Sequence, residues 1–522
     1  MKKIYILFVI FLAPVVSCDS LLDEEAFDIV TPNNFFQKKE DVAVAVNGTY
    51  DAIQNNSLWR NLSFTDLVAG SGGHAFNNPF KNLTYEDNNG SVWGIWRQLY
   101  VGIGRANDTL ERLKGSSLDE QQKARFEGEL RFIRAYCYFY LVRLFVRVPI
   151  VTKPPANLEE VVIADSATVV NGVDSEFYIQ RSRSDVYDFI IEDLEFAEEN
   201  LPSGYAANEL GRATKGAAAG MLGKVYLQRA GTQFNPDTGS LESGDVTSYT
   251  LAAQQFEKVL TMGYALEPNF ANVFDPANEA DNTEVIYALK YINSADAGVT
   301  GEGNRITADY GIVRSGPTPF SFNQTHVNKE FFDDWIAANG DDDNRRLPTF
   351  MDFYIDAQGD TVRFGSSAAF RFIKVRKLLS DLREGIGGST SATNATDYGQ
   401  DWIVLRYADV LLMHSEALNE SGTIPDAQTI SGINEVRSRA GKVPISLPIT
   451  KEALRDEIFD ERKWELCFEG QYYYDCQRYG RLLEEIAKSP ERRRTPILRH
   501  YVYPIPFNAT QNNPSLKQNE GW

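Results

Sequence analysis

The residues with the clearest chemical character are aromatics and amides gathered in two long loops. The first, Ala69 to Ser91, reads AGSGGHAFNNPFKNLTYEDNNGS, and the second, Asn293 to Asn323, includes DYGIVRSGPTPFSFN. A sugar ring offers a C–H face that stacks on an aromatic ring and a rim of hydroxyls that pairs with amides, carboxylates and guanidinium groups. Loops of this composition suit a carbohydrate. Phe76, Asn77, Phe80 and Tyr85 in the first loop, and Tyr310, Arg314, Phe320 and Phe322 in the second, are the candidate ligand-binding residues. The competing structural reading is that some of these rings pack beneath the surface; it weighs most on Phe80 and Phe320, each of which follows a proline. Trp93 stands just past the first loop, where its ring reaches either environment, whereas Trp96, Tyr100 and Ile103 share one helical stripe and belong to the core. Trp59 and Trp335 are further possible platforms.

Catalytic signatures are missing by comparison. The four histidines, His74, His326, His414 and His500, form no HExxH pair, and no Cys/His cluster has zinc spacing. There is no GxSxG elbow, P-loop or GxGxxG after a strand, so nucleophilic and nucleotide chemistry lack a local motif. A glycosidase needs only two carboxylates about 5–10 Å apart, and nothing in the pattern selects a pair. Asp341-Asp342-Asp343-Asn344 could offer oxygen ligands to calcium; the plainer reading is a solvated turn before Arg345 and Arg346. No metal site and no cofactor is expected.

The elements that position these loops are helices. Ser117 and Glu120 stand at capping-box spacing, predicting a helix from Leu118 that stops before Pro149. Leu130, Ile133, Cys137, Leu141 and Leu144 fall on one stripe of it, and Phe132, Ala135, Phe139 and Val142 on another, so it is buried on most sides. Arg131, Arg134 and Arg143 within it call for carboxylates from neighbouring helices. Further helical patterns run from Asp41 to Gln54, Val92 to Leu113, Asp185 to Asn200, Thr214 to Arg229, Tyr249 to Met262, Trp402 to Asn419, Asp426 to Arg439 and Lys451 to Glu469, the last ending at Gly470. In the Thr214 helix Gly216, Ala217, Gly220 and Gly223 let a neighbour approach closely. Arg406, Glu416, Arg437, Arg439, Glu461, Arg462, Glu465 and Glu469 lie among apolar positions and read as ion-pair networks that set helix register, in preference to catalytic acids and bases.

The amino terminus has the layout of a secretory signal: Lys2 and Lys3 precede an apolar run from Ile4 to Val16 that is shorter than the about 20 residues of a membrane span. Val15-Val16-Ser17-Cys18 looks like a bacterial lipobox, in which the cysteine thiol takes lipid and becomes the first residue; an ordinary signal with a chance cysteine is the alternative. Each buried methylene contributes about 0.8 kcal/mol, so two or three acyl chains anchor stably. The expected organisation is a leader over 1–17, a lipidated acidic tether over 18–30 and one domain over 31–522, because no Pro/Gly/Ser-rich linker divides the 522 residues. Lys and Arg total 52 against 72 Asp and Glu, a net charge of −20, which argues against nucleic acid as a partner. Cys137, Cys467 and Cys476, an odd and scattered set, form no disulfide framework.

The segment ELRFIRAYCYFYLVRLFVRVPIVTKP resembles the central helix of the SusD/RagB family, surface lipoproteins that work with outer-membrane nutrient transporters in Bacteroidetes. The resemblance continues through WRQLYVGIGRAN, GRATKGAAAGMLGKVYLQRAG, WIVLRYADVLLMHSEALNE, INEVRSRAG, ERKWELCFEGQYYYDCQRYG and YPIPFNATQNNPSLKQNEGW, in order and over nearly the whole chain. It implies a mostly α, SusD-like fold: a tetratricopeptide-like superhelix of helix pairs with long loops and a few short strands. It also implies a ligand site on one face, built by loops in the two regions above with no fixed binding motif, and binding without catalysis. The implied role is capture of a glycan, as a surface-exposed, lipid-anchored outer-membrane protein acting as a lid over a SusC-like TonB-dependent transporter. A peptide or another nutrient in place of glycan, a tetratricopeptide-like scaffold that binds only protein, and an enzyme are the rival readings.

Overall fold

A computed structural model describes residues 36, 38–74, 78–153, 179–292, 303–304, 325–351, 353–355, 360–363, 371–372, 399–489 and 494–522. Its elements are arranged around the long central helix. α1 (Lys39–Ile53), α2 (Asn56–Ala69), α3 (Gly90–Lys114) and α4 (Glu120–Phe145) are followed by α5 (Arg183–Asn200), α6 (Lys215–Ala230) and α7 (Ser248–Leu260). α8 (Lys329–Asn339), α9 (Tyr407–Ser421), α10 (Ser431–Arg439), α11 (Lys451–Glu465), α12 (Tyr472–Arg478), α13 (Leu482–Ala487) and α14 (Phe507–Asn512) complete the helices used below. β1 (Gly72–His74) pairs antiparallel with β3 (Thr325–Val327), and β2 (Val285–Leu289) with β4 (Trp402–Arg406). α3 packs on α4, α4 on α5, α5 on α6, α6 on α7, α7 on α9, and α9 on both α10 and α11. This serial stacking is the helix-pair superhelix expected. Among the described residues no helix is long and apolar enough to cross a membrane.

α4 is buried over nearly its whole length from Phe126 onward. Its cap is Asp119, whose carboxylate accepts from Gln122 N at 2.8 Å; the Ser117 capping box is therefore displaced by two residues. The negative charge of Asp119 is also favoured at the positive end of the helix dipole. The arginines in α4 find three different solutions. Arg134 forks onto Asp193 of α5, with both bonds at 2.8 Å, and its third nitrogen donates to Asn107 Oδ1 at 2.7 Å. Arg131 leans on Glu127 of its own helix and on Asp193. Arg143 meets aromatic faces instead of a carboxylate, 3.8 Å from the Tyr474 centroid and 3.9 Å from that of Phe139. Cation–π contact takes over the role expected of an ion pair.

α6 carries the small-residue face anticipated. A Cβ at Gly220 would lie 2.5 Å from Leu405 Cδ2, and one at Gly223 would lie 2.5 Å from Phe256 Cε1, so larger residues would push α6 off β4 and α7. Three helical expectations need correction. Trp402–Arg406 is a strand paired with β2, and the helix begins only at Tyr407. α11 ends at Glu465 instead of continuing to Gly470; the chain then turns through Phe468 at φ +65°, whose ring lies 5.6 Å from Phe331. α10 also starts later than expected, at Ser431.

The buried charges join these elements. Arg406 donates to Glu284 and Glu465 at 2.7 and 2.6 Å and forks onto Glu469 at 2.7 and 2.8 Å. Arg345 donates to Glu461, Glu465 and Asp343, and Arg439 to Glu284 and Glu465. A second set links Lys224 of α6 to Asp409 of α9, and Asp409 through Arg462 of α11 to Asp475 of α12. These are interhelical clamps, as the sequence pattern implied. Asp343 is accordingly buried in a clamp, whereas Asp341, Asp342 and Asn344 are exposed as a solvated turn would have them, and the Asp341 carboxylate takes Arg346 at 3.0 Å. Cys137, Cys467 and Cys476 are buried thiols. The leader, Cys18 and the acidic tether lie outside the described residues.

Candidate functional site

Both aromatic-rich loops are rooted on α2. Asn55 starts this helix by accepting from Ser57 N and Leu58 N, and Gly70 ends it in the left-handed conformation at φ +94°, which turns the chain into β1. β1 then pairs with β3 in the register Gly72↔Val327 and His74↔Thr325. Just beyond β3, Asn328 N donates to Ser71 O at 2.9 Å and its side chain donates to Gly70 O and to Ser489 Oγ. The entry to the first loop and the exit from the second are thus one structure. The entry to the second loop is tied near the other end of α2: Gln54 Nε2 donates to Lys290 O at 2.8 Å, and Tyr291 OH donates to Gln54 O at 2.9 Å. Trp59 and Trp402 pack 5.4 Å apart beside it. A helix packed on α3 and α12 therefore holds loops that are more than 200 residues apart in sequence.

The nominated side chains divide into three groups. Phe76, Asn77, Tyr310, Arg314, Phe320 and Phe322 lie outside the described residues. Phe80 and Tyr85 are corrections: they are 1% and 0% exposed. The two rings stack on each other at 4.8 Å with 19° between planes, and Tyr85 also packs 5.3 Å from Tyr503 and 5.1 Å from Trp522. Local turns produce this: Asn78 Oδ1 accepts from Phe80 N, Thr84 N donates to Pro79 O, and Leu83 takes φ +54°. The later limb of the first loop is thereby folded down onto the carboxy-terminal segment. A fully buried ring has no face left for a sugar, so these two form the floor of the loop. Trp59 and Trp335 are likewise buried, at 1% and 0% exposure. Trp93, in the first turn of α3, is half-buried against the core, and Trp96 is a core residue 5.0 Å from Phe145 in edge-to-face contact.

A cleft of about 330 Å³ that sequence reasoning missed lies where the second loop leaves β2. Tyr205, Arg212, Tyr264, Phe274, Lys290 and Asp401 are among its lining. They come from four separate segments, so no local motif could have revealed it. Its cations are already matched: Arg212 donates to Glu129 at 2.9 Å, while Lys290 holds Glu279 at 2.8 Å and also Asp401. Burial, reinforced by Glu279, pushes the Asp401 carboxyl up to about 7 against the pull of Lys290. Asp401 Oδ1 also accepts from Tyr291 N at 3.0 Å, so this group fastens the start of the second loop to the start of β4. Among the described residues no group of three or more His, Cys, Asp and Glu side chains suits a metal ion.

Comparison with known proteins agrees with this architecture. The model of the SusD family matches residues 352–522, and a model described as starch-binding, associating with outer membrane, matches residues 21–227. SusD-like protein P2 of Formosa agariphila is 28% identical to this chain over 99% of both lengths. The starch-binding protein SusD of Bacteroides thetaiotaomicron is 23% identical, over 82% of this chain and 78% of its own. Among solved structures, a laminarin binding SusD-like protein superimposes with a TM-score of 0.71 at 24% identity, covering 93% of this chain and 100% of its own. With matching models at both ends, full-length relatives and the stacked helix pairs around α4, the chain belongs to the SusD/RagB family.

Proposed function

We propose that this protein binds a glycan on the face formed by its two aromatic-rich loops and delivers it to a SusC-like TonB-dependent transporter in the outer membrane. The observation that carries the reading is the β1–β3 ladder, which joins loops of sugar-binding composition at their roots on a rigid helix. Relatives described as starch-binding and laminarin binding support the ligand class. Phe76, Asn77, Trp93, Tyr310, Arg314, Phe320 and Phe322 remain the proposed contacts. Lipid on Cys18, after loss of residues 1–17, would hold the single domain at the cell surface through the tether of residues 18–30. Binding without bond cleavage is part of the proposal, because the role needs capture and release only.

Isothermal titration of the protein started after Cys18, against laminarin, starch, xyloglucan and a peptide digest, tests it. Saturable heat with one glycan, lost when Phe76 and Tyr310 are changed to Ala and with no sugar released, is the expected result. Heat with peptides alone would replace the glycan with a peptide ligand, and sugar release would make the protein an enzyme.

A further inference from the structure

Among the described residues with defined burial, one aromatic ring is exposed by more than a third: Phe507, at 44%. It opens α14, which packs on α3. Its backbone N donates to Asp87 O at 2.9 Å. Asp87 belongs to the later limb of the first loop, two residues before Asn89, which caps α3 by accepting from Ser91 N and Val92 N; Trp93 follows within the first turn. The exposed ring is therefore fastened to the candidate ligand loop itself. The neighbouring residue of that limb, Glu86, receives Arg494 at 2.6 Å and Arg499 at 3.2 Å, and the same segment exposes Ile497 and Leu498. Asn508 follows the ring in α14.

We propose that Phe507 is an outer stacking platform of the glycan site, so that the preferred ligand is a chain of several sugars that runs from the loops across the end of α3. This rests on the glycan reading above. The Phe507 ring supplies an apolar face for the C–H face of a pyranose, and the loop limb tied to its backbone carries the Glu86 carboxylate with its two guanidinium partners, groups of the kind that pair with a hydroxyl rim. The place of Phe507 also explains how a site whose floor consumes Phe80 and Tyr85 can present a further ring: the carboxy-terminal segment whose Tyr503 packs on those two goes on to expose Phe507. Stacking on one ring adds about 2- to 10-fold in affinity, and only a ligand long enough to reach it gains that factor.

The test uses whichever glycan gives saturable heat in the titration panel, cut to a disaccharide and to a heptasaccharide. Wild type, Phe507→Ala and Phe507→Trp are compared by titration, with melting temperature measured alongside. The expected outcome is a loss of about 2- to 10-fold by the Ala variant for the heptasaccharide, no change for the disaccharide, and full affinity for both in the Trp variant. Equal affinity of wild type and the Ala variant for the heptasaccharide overturns the platform. So does an equal loss on both lengths, which would mark Phe507 as part of the fold or of the central site. If wild type binds no glycan of the panel, the functional proposal itself fails, and the platform with it.

Discussion

Asp66 sits within α2 with its carboxyl buried and its Oδ1 without a hydrogen-bond partner, near the hydroxyls of Tyr474 and Tyr503. Burial pushes this carboxyl from its ordinary value of 3.8 up to about 7. Between those two pH values the folded protein keeps a proton that the unfolded chain has released. Stability from this group is thus intact below about pH 4 and is lost progressively as pH rises to about 7. Replacing Asp66 with Asn removes the penalty of the charged form. Asp66→Asn is expected to melt at the wild-type temperature near pH 4 and above it near pH 8, with a gain of up to about 4 kcal/mol. A difference that is the same at both pH values would show that Asp66 stays ionised in the folded state. Because α2 roots both aromatic-rich loops, this residue couples pH to the scaffold beneath the candidate site.

At the scale of elements, the clamp around Arg406 decides how β4, α11 and the strand before it are held. Its guanidinium is 1% exposed and is shared by Glu284, Glu465 and Glu469. Removing one member of a buried ionic group leaves its partners poorly matched in a low-dielectric interior, at a cost of about 3–5 kcal/mol. Arg406→Ala should lower the unfolding free energy measured by urea titration by that amount, while a change at the exposed pair Arg112–Asp108 should cost under about 1 kcal/mol. Equal effects would mean that the buried clamp has no special weight. The clamps were legible in the sequence because charged residues recur among apolar ones in α9, α10 and α11. Helix positions were also legible: α1, α3 to α7 and α9 have boundaries within a few residues of the periodic patterns, except where WIVLR forms β4. A run of four apolar residues, Trp402 to Leu405, does not carry a period, and the β-branched pair Ile403-Val404 favours the strand that β2 completes. The fate of Tyr85 was not legible, and that of Phe80 was legible only as the rival reading suggested by the proline before it. Their burial depends on Tyr503 and Trp522, more than 400 residues away, and no local pattern reports such a contact.

At the scale of the whole molecule, the carboxy-terminal segment ties together parts of the described chain that are far apart in sequence. Tyr503 N donates to Leu144 O at the end of α4, and Asn519 Nδ2 donates to Phe145 O and Tyr503 O. Lys517 N donates to Gln180, Glu520 N to Pro236 O, and Trp522 Nε1 to Arg499 O while its ring lies against Tyr85. These contacts reach α4, the segment before α5, the turn at Pro236 and the floor of the first loop. Each such hydrogen bond contributes about 1 kcal/mol, so a chain ending at Asn512 should be several kcal/mol less stable. The loss should be uneven. α6 and α7 pack on each other and make none of these contacts, whereas residues 78–89 depend on Trp522 and Tyr503 for the burial of Tyr85. Hydrogen exchange on the truncated chain is expected to show amides of residues 78–89 deprotected and those of α6 and α7 still protected. Glycan affinity should fall with them, because the loop would lose its floor. Retained protection at residues 78–89 would mean that the limb is held by its own turns at Asn78 and Pro79, and that the tail contributes to stability without shaping the ligand face.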